Sequence, residues 1–338
     1  MTTIRPIQLC LAMLVAALPV HAGETLNAVR DRDAIRCGVS QGLPGFSSPS
    51  GENGSWQGLD VDYCHALAAA VLGDRSKVRF RPLSAKERFT ALQSGEIDVL
   101  SRNTTWTATR DTALGIHFAG VIYYDGQSFM VRKSLGLDSA KQLDGAAVCS
   151  NSGTTTELNM ADYFRSHDMH FDPVVFENSD EVIAAYEAGR CDVYTTDRSG
   201  LYAQRIKLKH PEQHEILPEV ISKEPLGPAV RQGDDEWFNI AKWTLFALIE
   251  GEELGVNSEN VDQKLKSDDP RVRRFLGETG DIGGNLHLDK RWAYRIIKQV
   301  GNYGELYQRH LGSKPLEIPR GLNRLWTDGG LLYSPAFR

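Results

Sequence analysis

The chain has 338 residues, 41% of them hydrophobic and 24% charged, with a formal net charge of −6. That is enough chain for two lobes of ordinary size, and so mild a negative charge gives no support to nucleic-acid binding, which needs a basic surface. No His-Glu-x-x-His, phosphate-loop, Gly-x-Ser-x-Gly or Gly-x-Gly-x-x-Gly pattern occurs, which removes the common metalloprotease, nucleotide and serine-hydrolase classes. The pairs His167/His170 and His210/His214 read as solvated surface.

Residues 1–22 read as a secretory signal. Arg5 supplies the basic start, and residues 7–20 form an apolar run broken by Gln8 and Pro19. Val20-His21-Ala22 then sets small residues for cleavage before Gly23. The run is too short to span a bilayer comfortably, and no later stretch reaches ~18 uninterrupted apolar residues. Cys10 lacks the small-residue context of a lipid-anchored cysteine. The expectation is a soluble, exported protein.

Strands then alternate with helices. Residues 34–39 read as a strand, and a helix opens at Asp60 and stops at Gly73. Residues 78–83 read as a strand, 85–94 as a helix closed by Gly95, and 97–101 as a strand. This order predicts parallel sheets covered by helices. A second copy follows. Residues 91–101 (ALQSGEIDVLS) match 185–195 (AYEAGRCDVYT) in helix end, glycine stop, Asp-Val and closing hydroxyl. A strand at 173–176 and a helix capped by Ser179 precede the second copy. Residues 123–131 and the Pro/Gly-rich 223–230 read as two crossings between lobes, a geometry that absorbs rotation. Lobe one is then 23–127 plus 226–338, and lobe two 128–225. From residue 237 to 253 apolar residues recur at helical spacing. The remaining tail, with a turn at 280–284, is expected to pack on lobe one.

Four cysteines lie beyond the leader, and an oxidising compartment favours two disulfides from three possible pairings. Cys37–Cys64 with Cys149–Cys191 is favoured, because each pair then stays within one lobe. No Cys-x-x-Cys suggests zinc, and no cofactor is expected.

Three segments carry candidate chemistry. Ser152-Gly153-Thr154-Thr155-Thr156-Glu157 follows a strand and opens a helix, with capping-box spacing between Thr154 and Glu157. A helix start of this kind receives anions. Asn103 to Arg110 follows another strand, where ligands of open α/β sheets bind, and Arg110 there can clamp a carboxylate. The competing role for Arg110 is a surface pair with Asp111. Asp197 follows the matching strand of lobe two and can hold an ammonium, although Asp is also a good helix cap. Together these suit a zwitterion, its carboxylate at Arg110, Thr105 and the Thr155 amide and its ammonium at Asp197. Burying either charge unpaired would cost several kcal/mol.

These residues carry a resemblance. Residues 56–62 (WQGLDVD), 100–106 (LSRNTTW), 152–157 and 189–200 (GRCDVYTTDRSG), with Gly321-Leu322-Asn323, Trp326 and Gly329-Gly330-Leu331, resemble the solute-binding proteins of polar-amino-acid ABC importers. That family is the bacterial extracellular solute-binding proteins, family 3, and the likeness is greatest to its general L-amino-acid branch. The resemblance implies an α/β type II periplasmic-binding fold, with two lobes, a two-crossing hinge and a helical C-terminal extension. It implies Arg110, Thr105 and Thr155 on the ligand carboxylate and Asp197 on its ammonium. It also implies a monomeric periplasmic protein that captures free L-amino acids, chiefly polar or acidic ones and their amides, and docks on ABC importer membrane subunits. Phe46, Trp56, Arg102, Asn103 and Trp106 are candidates for the side-chain end of the pocket, with packing the competing role for both tryptophans. A periplasmic lyase or dehydratase and a chemoreceptor loader are the alternatives on this fold.

Overall fold

The computed structural model describes residues 23–50 and 54–338, so the secretory signal expected at 1–22 lies outside the described residues. Two five-stranded sheets organise the chain. The first runs in the order Val78–Leu83, Ile35–Ser40, Val99–Leu100, Ala229–Arg231, Ile116–Phe118. The second runs Phe171–Phe176, Ala146–Asn151, Val193–Asp197, Gln127–Arg132, His214–Ile216. Three strands of each are parallel, and the last two pairings of each are antiparallel. The sheets are therefore mixed where the alternation predicted parallel ones. The cause is the hinge, since Gln127–Arg132 and Ala229–Arg231 each enter a sheet straight from a crossing and run against its parallel strands. The two copies seen in the sequence correspond, because Val99–Leu100 and Val193–Asp197 each hold the third place of five.

The crossings are Tyr123–Asp125 and Glu224–Leu226, paired antiparallel with Glu224 opposite Asp125. The long β-like stretch at 123–131 is broken at Gly126, where a Cβ would lie 2.2 Å from a Val220 methyl and 2.8 Å from the Ser222 carbonyl oxygen. Only glycine lets the chain leave the hinge and enter the second sheet at that point.

Helix Leu59–Leu72 stops at Gly73, in the left-handed region at φ 73°, as glycine permits. The helix expected over 85–94 covers only Arg88–Gln93, because residues 85–87 form a turn. Two expected caps are corrected. Asn178, one residue before Ser179, caps Ser179–Glu187 in a box with Glu181. Thr154 donates its hydroxyl to the Asn151 carbonyl (2.7 Å), and Glu157 accepts from the Gly153 amide (3.3 Å). No capping box forms there. The glycines expected to form a turn at 280–284 include a short helix, Ile282–Asn285, whose Gly284 amide is capped by Asp281.

The largest core joins the first sheet to the C-terminal helices through Trp237, Trp292, Tyr303 and Tyr307, all essentially buried. The tail also reaches the hinge. The Asn323 side chain accepts from the Tyr124 amide (2.7 Å) and donates to its carbonyl (3.0 Å), and the Tyr303 hydroxyl donates to the Ile122 carbonyl (2.8 Å).

Disulfides join Cys37 to Cys64 and Cys149 to Cys191. Their sequence separations of 27 and 42 confine unfolded loops whose closure is worth about 3–4 kcal/mol each. Replacing either pair by serine is expected to lower unfolding free energy by about that amount in urea titration. A loss below about 1 kcal/mol would show that the crosslink does not act through the unfolded chain.

Candidate functional site

The carboxyl ends of the parallel strands of both sheets face a common cleft. Ser40, Arg88, Arg102, Asn103 and Thr105 line it from one side, and Asn151, Thr154–Thr156, Ser179, Tyr194 and Asp197 from the other. The lobes touch across it, with the Ser84 hydroxyl 3.5 Å from Glu177 and the Lys207 ammonium 2.7 Å from the Gly42 carbonyl oxygen.

Asp197 occupies the cap position of helix Arg198–Arg205, yet its side chain makes no capping bond. Asp125, from the hinge strand, does that work. Its carboxylate accepts from the Ser199 amide (3.3 Å) and from the Ser199 hydroxyl. With the cap supplied elsewhere, the Asp197 carboxylate lines the cleft without a protein donor among the described residues. Burial pushes its carboxyl well above the usual range, helped by Asp125 and Glu224 and opposed by Arg88 and Arg110. Burial likewise pushes Asp125 up to about 6.

Three buried arginines face this acid, and their bonds to protein run to neutral oxygens. Arg102 donates through Nε to the Leu83 carbonyl (2.9 Å), and Arg88 to the Thr104 hydroxyl (3.3 Å), leaving its own Nε without a partner. Arg110 donates to the Thr105 carbonyl (2.8 Å) and lies over the Phe89 ring. Desolvation lowers all three, Arg102 to about 10, and Arg88 is lowered further by its two neighbours. Arg110 is thus buried, not paired with Asp111 at the surface. It braces the Thr105 carbonyl with one nitrogen and its charge reaches Asp197, while Arg88, on the helix start after Glu87, stands in the lining. Sequence reasoning missed Arg88, whose only signal was a cation opening a helix beside a strand end.

The loop between them is held by Asp60, which accepts from the Ser101 hydroxyl (3.1 Å) and the Asn103 amide (2.8 Å). Burial raises the Asp60 carboxyl to about 6. Asn103 is bent to φ 31°, a conformation that a side-chain-bearing residue keeps only under constraint. Its buried Oδ1 has no partner. Across the cleft, helix Thr155–Ser166 begins without a side-chain cap, so its first amides are left for a ligand anion.

Thr105 and Thr155 stand 3.3 Å apart from opposite lobes, but both hydroxyls are committed. Each donates to one oxygen of Glu224, at 2.5 and 2.9 Å, while Asn159 and Ser222 donate to the other, both at 2.7 Å. A hydroxyl has one proton to give, so these two threonines can offer a ligand their amides rather than their hydroxyls. Glu224 was legible only as a residue of a crossing.

Of the side-chain candidates, Arg102 and Asn103 line the cleft. Phe46 does not, because it is buried edge-on against Tyr123 at 5.4 Å. Trp106 does not either, because it stacks on Phe118 at 5.6 Å. Trp56 packs on Phe80.

The sequence pattern of the bacterial extracellular solute-binding proteins, family 3, matches residues 35–259. The chain belongs to that family. It is 58% identical over 330 residues to the general L-amino acid-binding periplasmic protein AapJ of Rhizobium johnstonii, covering 97% of this chain and 96% of that one. It is 49% identical over 330 residues to the glutamate/glutamine/aspartate/asparagine-binding protein BztA of Rhodobacter capsulatus, covering 97% of each. Among solved structures it is similar to an ABC transporter periplasmic binding protein from Brucella ovis with glutathione bound. That similarity has a TM-score of 0.92 and 55% identity, over 94% of this chain and all of that one. The two-lobed architecture is accordingly the type II periplasmic-binding fold.

Glu224→Ala removes the acceptor that both lobes share. Hydrogen bonds to a charged group contribute about 1.5–3 kcal/mol each, so the closed-to-open ratio is expected to fall at least about tenfold. Small-angle scattering of the ligand-free protein should report a larger radius of gyration, and an unchanged radius would contradict the bridging role.

Proposed function

We propose that this protein captures free L-amino acids in the periplasm, chiefly polar and acidic ones and their amides, and delivers them to an ABC importer. One observation carries the reading. The cleft holds an acid without a protein donor opposite buried arginines without a protein carboxylate, the complement of a zwitterion. The ligand α-carboxylate goes to Arg88 and Arg110 and to the free amides of Thr155 and Thr156. Its ammonium goes to Asp197 and the Asn103 oxygen. Arg102 meets the polar end of the side chain. The chain works as a monomer, exported by a leader removed before Gly23, and its two disulfides suit an oxidising compartment. The relatives named for amino-acid binding support the ligand class.

Closure follows from differential contact. A ligand held by one lobe gains its second set of charge partners only when the other lobe arrives, and that gain shifts the population. A lyase on this scaffold would instead need an acid aimed at a leaving group. Turnover of prephenate or arogenate would establish that alternative.

Arg88→Ala and Arg110→Ala are each expected to weaken amino-acid binding at least tenfold, about 1.4 kcal/mol, by calorimetry. Unchanged affinity in either variant removes that arginine from the grip. Asp197→Asn should cost amino acids more than their deaminated analogues, and equal losses would exclude the ammonium role.

Proton linkage offers an independent check. Burial favours the protonated Asp197 carboxyl in the empty cleft, and an arriving ammonium favours the charged form. Binding should therefore expel protons, and affinity should rise with pH across the window between the two states. Calorimetric heats should differ between buffers of different ionisation enthalpy. Identical heats would mean that Asp197 does not change protonation.

A further inference from the structure

The inner cleft does not end at its side-chain pole. Ser40, Arg102 and Ser179 line it and also line a second compartment, which continues outward between Gln41–Gly42 of one lobe and residues 177–181 of the other. The outer compartment has a volume of about 770 Å³, including its open mouth. These three shared residues form a neck, and the chemistry of the neck is specific. Arg102 spends its Nε on the Leu83 carbonyl, which leaves the outer face of a guanidinium for a ligand oxygen. Ser40 and Ser179 bring hydroxyls that accept an N–H. A donor cation beside hydroxyl acceptors matches a secondary amide, with its carbonyl on Arg102 and its N–H on a serine. The far wall is held shut by Lys207, which bonds both the Gly42 carbonyl and Asp180 (3.2 Å). The compartment is therefore defined in the closed arrangement, and a ligand entering it need not part the lobes.

We propose that the site also accepts α-amino acids whose side-chain amide carries a further substituent, the amide seated at the neck and the substituent in the outer compartment. The inference rests on the amino-acid reading of the inner cleft and extends it to a substrate class that a sealed pocket would exclude. Elongation costs little here, because the substituent displaces solvent from a space already built and leaves the grip on the α-carbon end untouched.

The probes are asparagine and glutamine beside N4-ethylasparagine and N5-ethylglutamine, measured by calorimetry on the mature protein. At least one ethyl amide is expected to bind within tenfold of its parent, and a loss above tenfold for both overturns the proposal. Gln41→Trp, at an exposed position on the rim, should fill the outer compartment and weaken the better-binding ethyl amide at least tenfold more than its parent. A smaller difference also overturns it. Asp180→Trp repeats the obstruction from the opposite lobe and should likewise weaken the better-binding ethyl amide at least tenfold more than its parent. Parent amides that fail to bind the unsubstituted protein refute the amino-acid reading itself. Parents that bind while both ethyl amides are excluded refute only the extension.

Discussion

The exchange of one helix cap determines what the cleft can do. An aspartate that begins a helix ordinarily spends its carboxylate on the helix amides. Here Asp125 reaches across from the hinge and caps Arg198–Arg205 in place of Asp197. The acid that stands at the cap position is thereby kept free, in a place where being both charged and unpartnered is expensive. Arg88, Arg102 and Arg110 mirror that condition, since their protein bonds go to carbonyl and hydroxyl oxygens. The cleft holds an acid and its arginines apart from one another, and a dipolar guest, whose ammonium ionises the acid as it arrives, can satisfy both at once.

The hinge is part of the site for the same reason. Asp125 and Glu224 face each other on its two strands. One orders the helix behind Asp197, and the other gathers hydroxyls from both lobes onto a single carboxylate. Lobe position and ligand grip are thus connected through named bonds rather than through the general stiffness of the fold. Thr105 and Thr155 belong to this connection, which is why their hydroxyls are turned away from the space that a ligand would fill.

Much of the fold was legible because its signals are local. Glycine stops, apolar periodicity and the repeated Asp-Val junction are all read within a dozen residues, and both third strands lie where that repeat put them. The mixed sheets were not legible, because antiparallel pairing of 127–132 and 229–231 depends on how two crossings meet far apart in sequence. The candidate site divides in the same way. Arg102, Asn103, Thr105, Thr155 and Asp197 sit at strand ends where short patterns point. Arg88 and Glu224 gain their place from tertiary contact alone, and Phe46, buried against Tyr123, and Trp106, stacked on Phe118 at the surface, were drawn away from the cleft by aromatic partners that no spacing announces.

The Asn323 side chain forms a two-bond clasp with the backbone of Tyr124, much as a neighbouring strand would. That clasp welds the first residues of one crossing to the body that carries the tail. Torsional freedom is therefore displaced to the stretch beyond it, around Asp125 and Gly126. The pivot then falls beside the carboxylate that caps Arg198–Arg205, so any swing of the distal lobe must twist the backbone immediately next to the group that leaves Asp197 available.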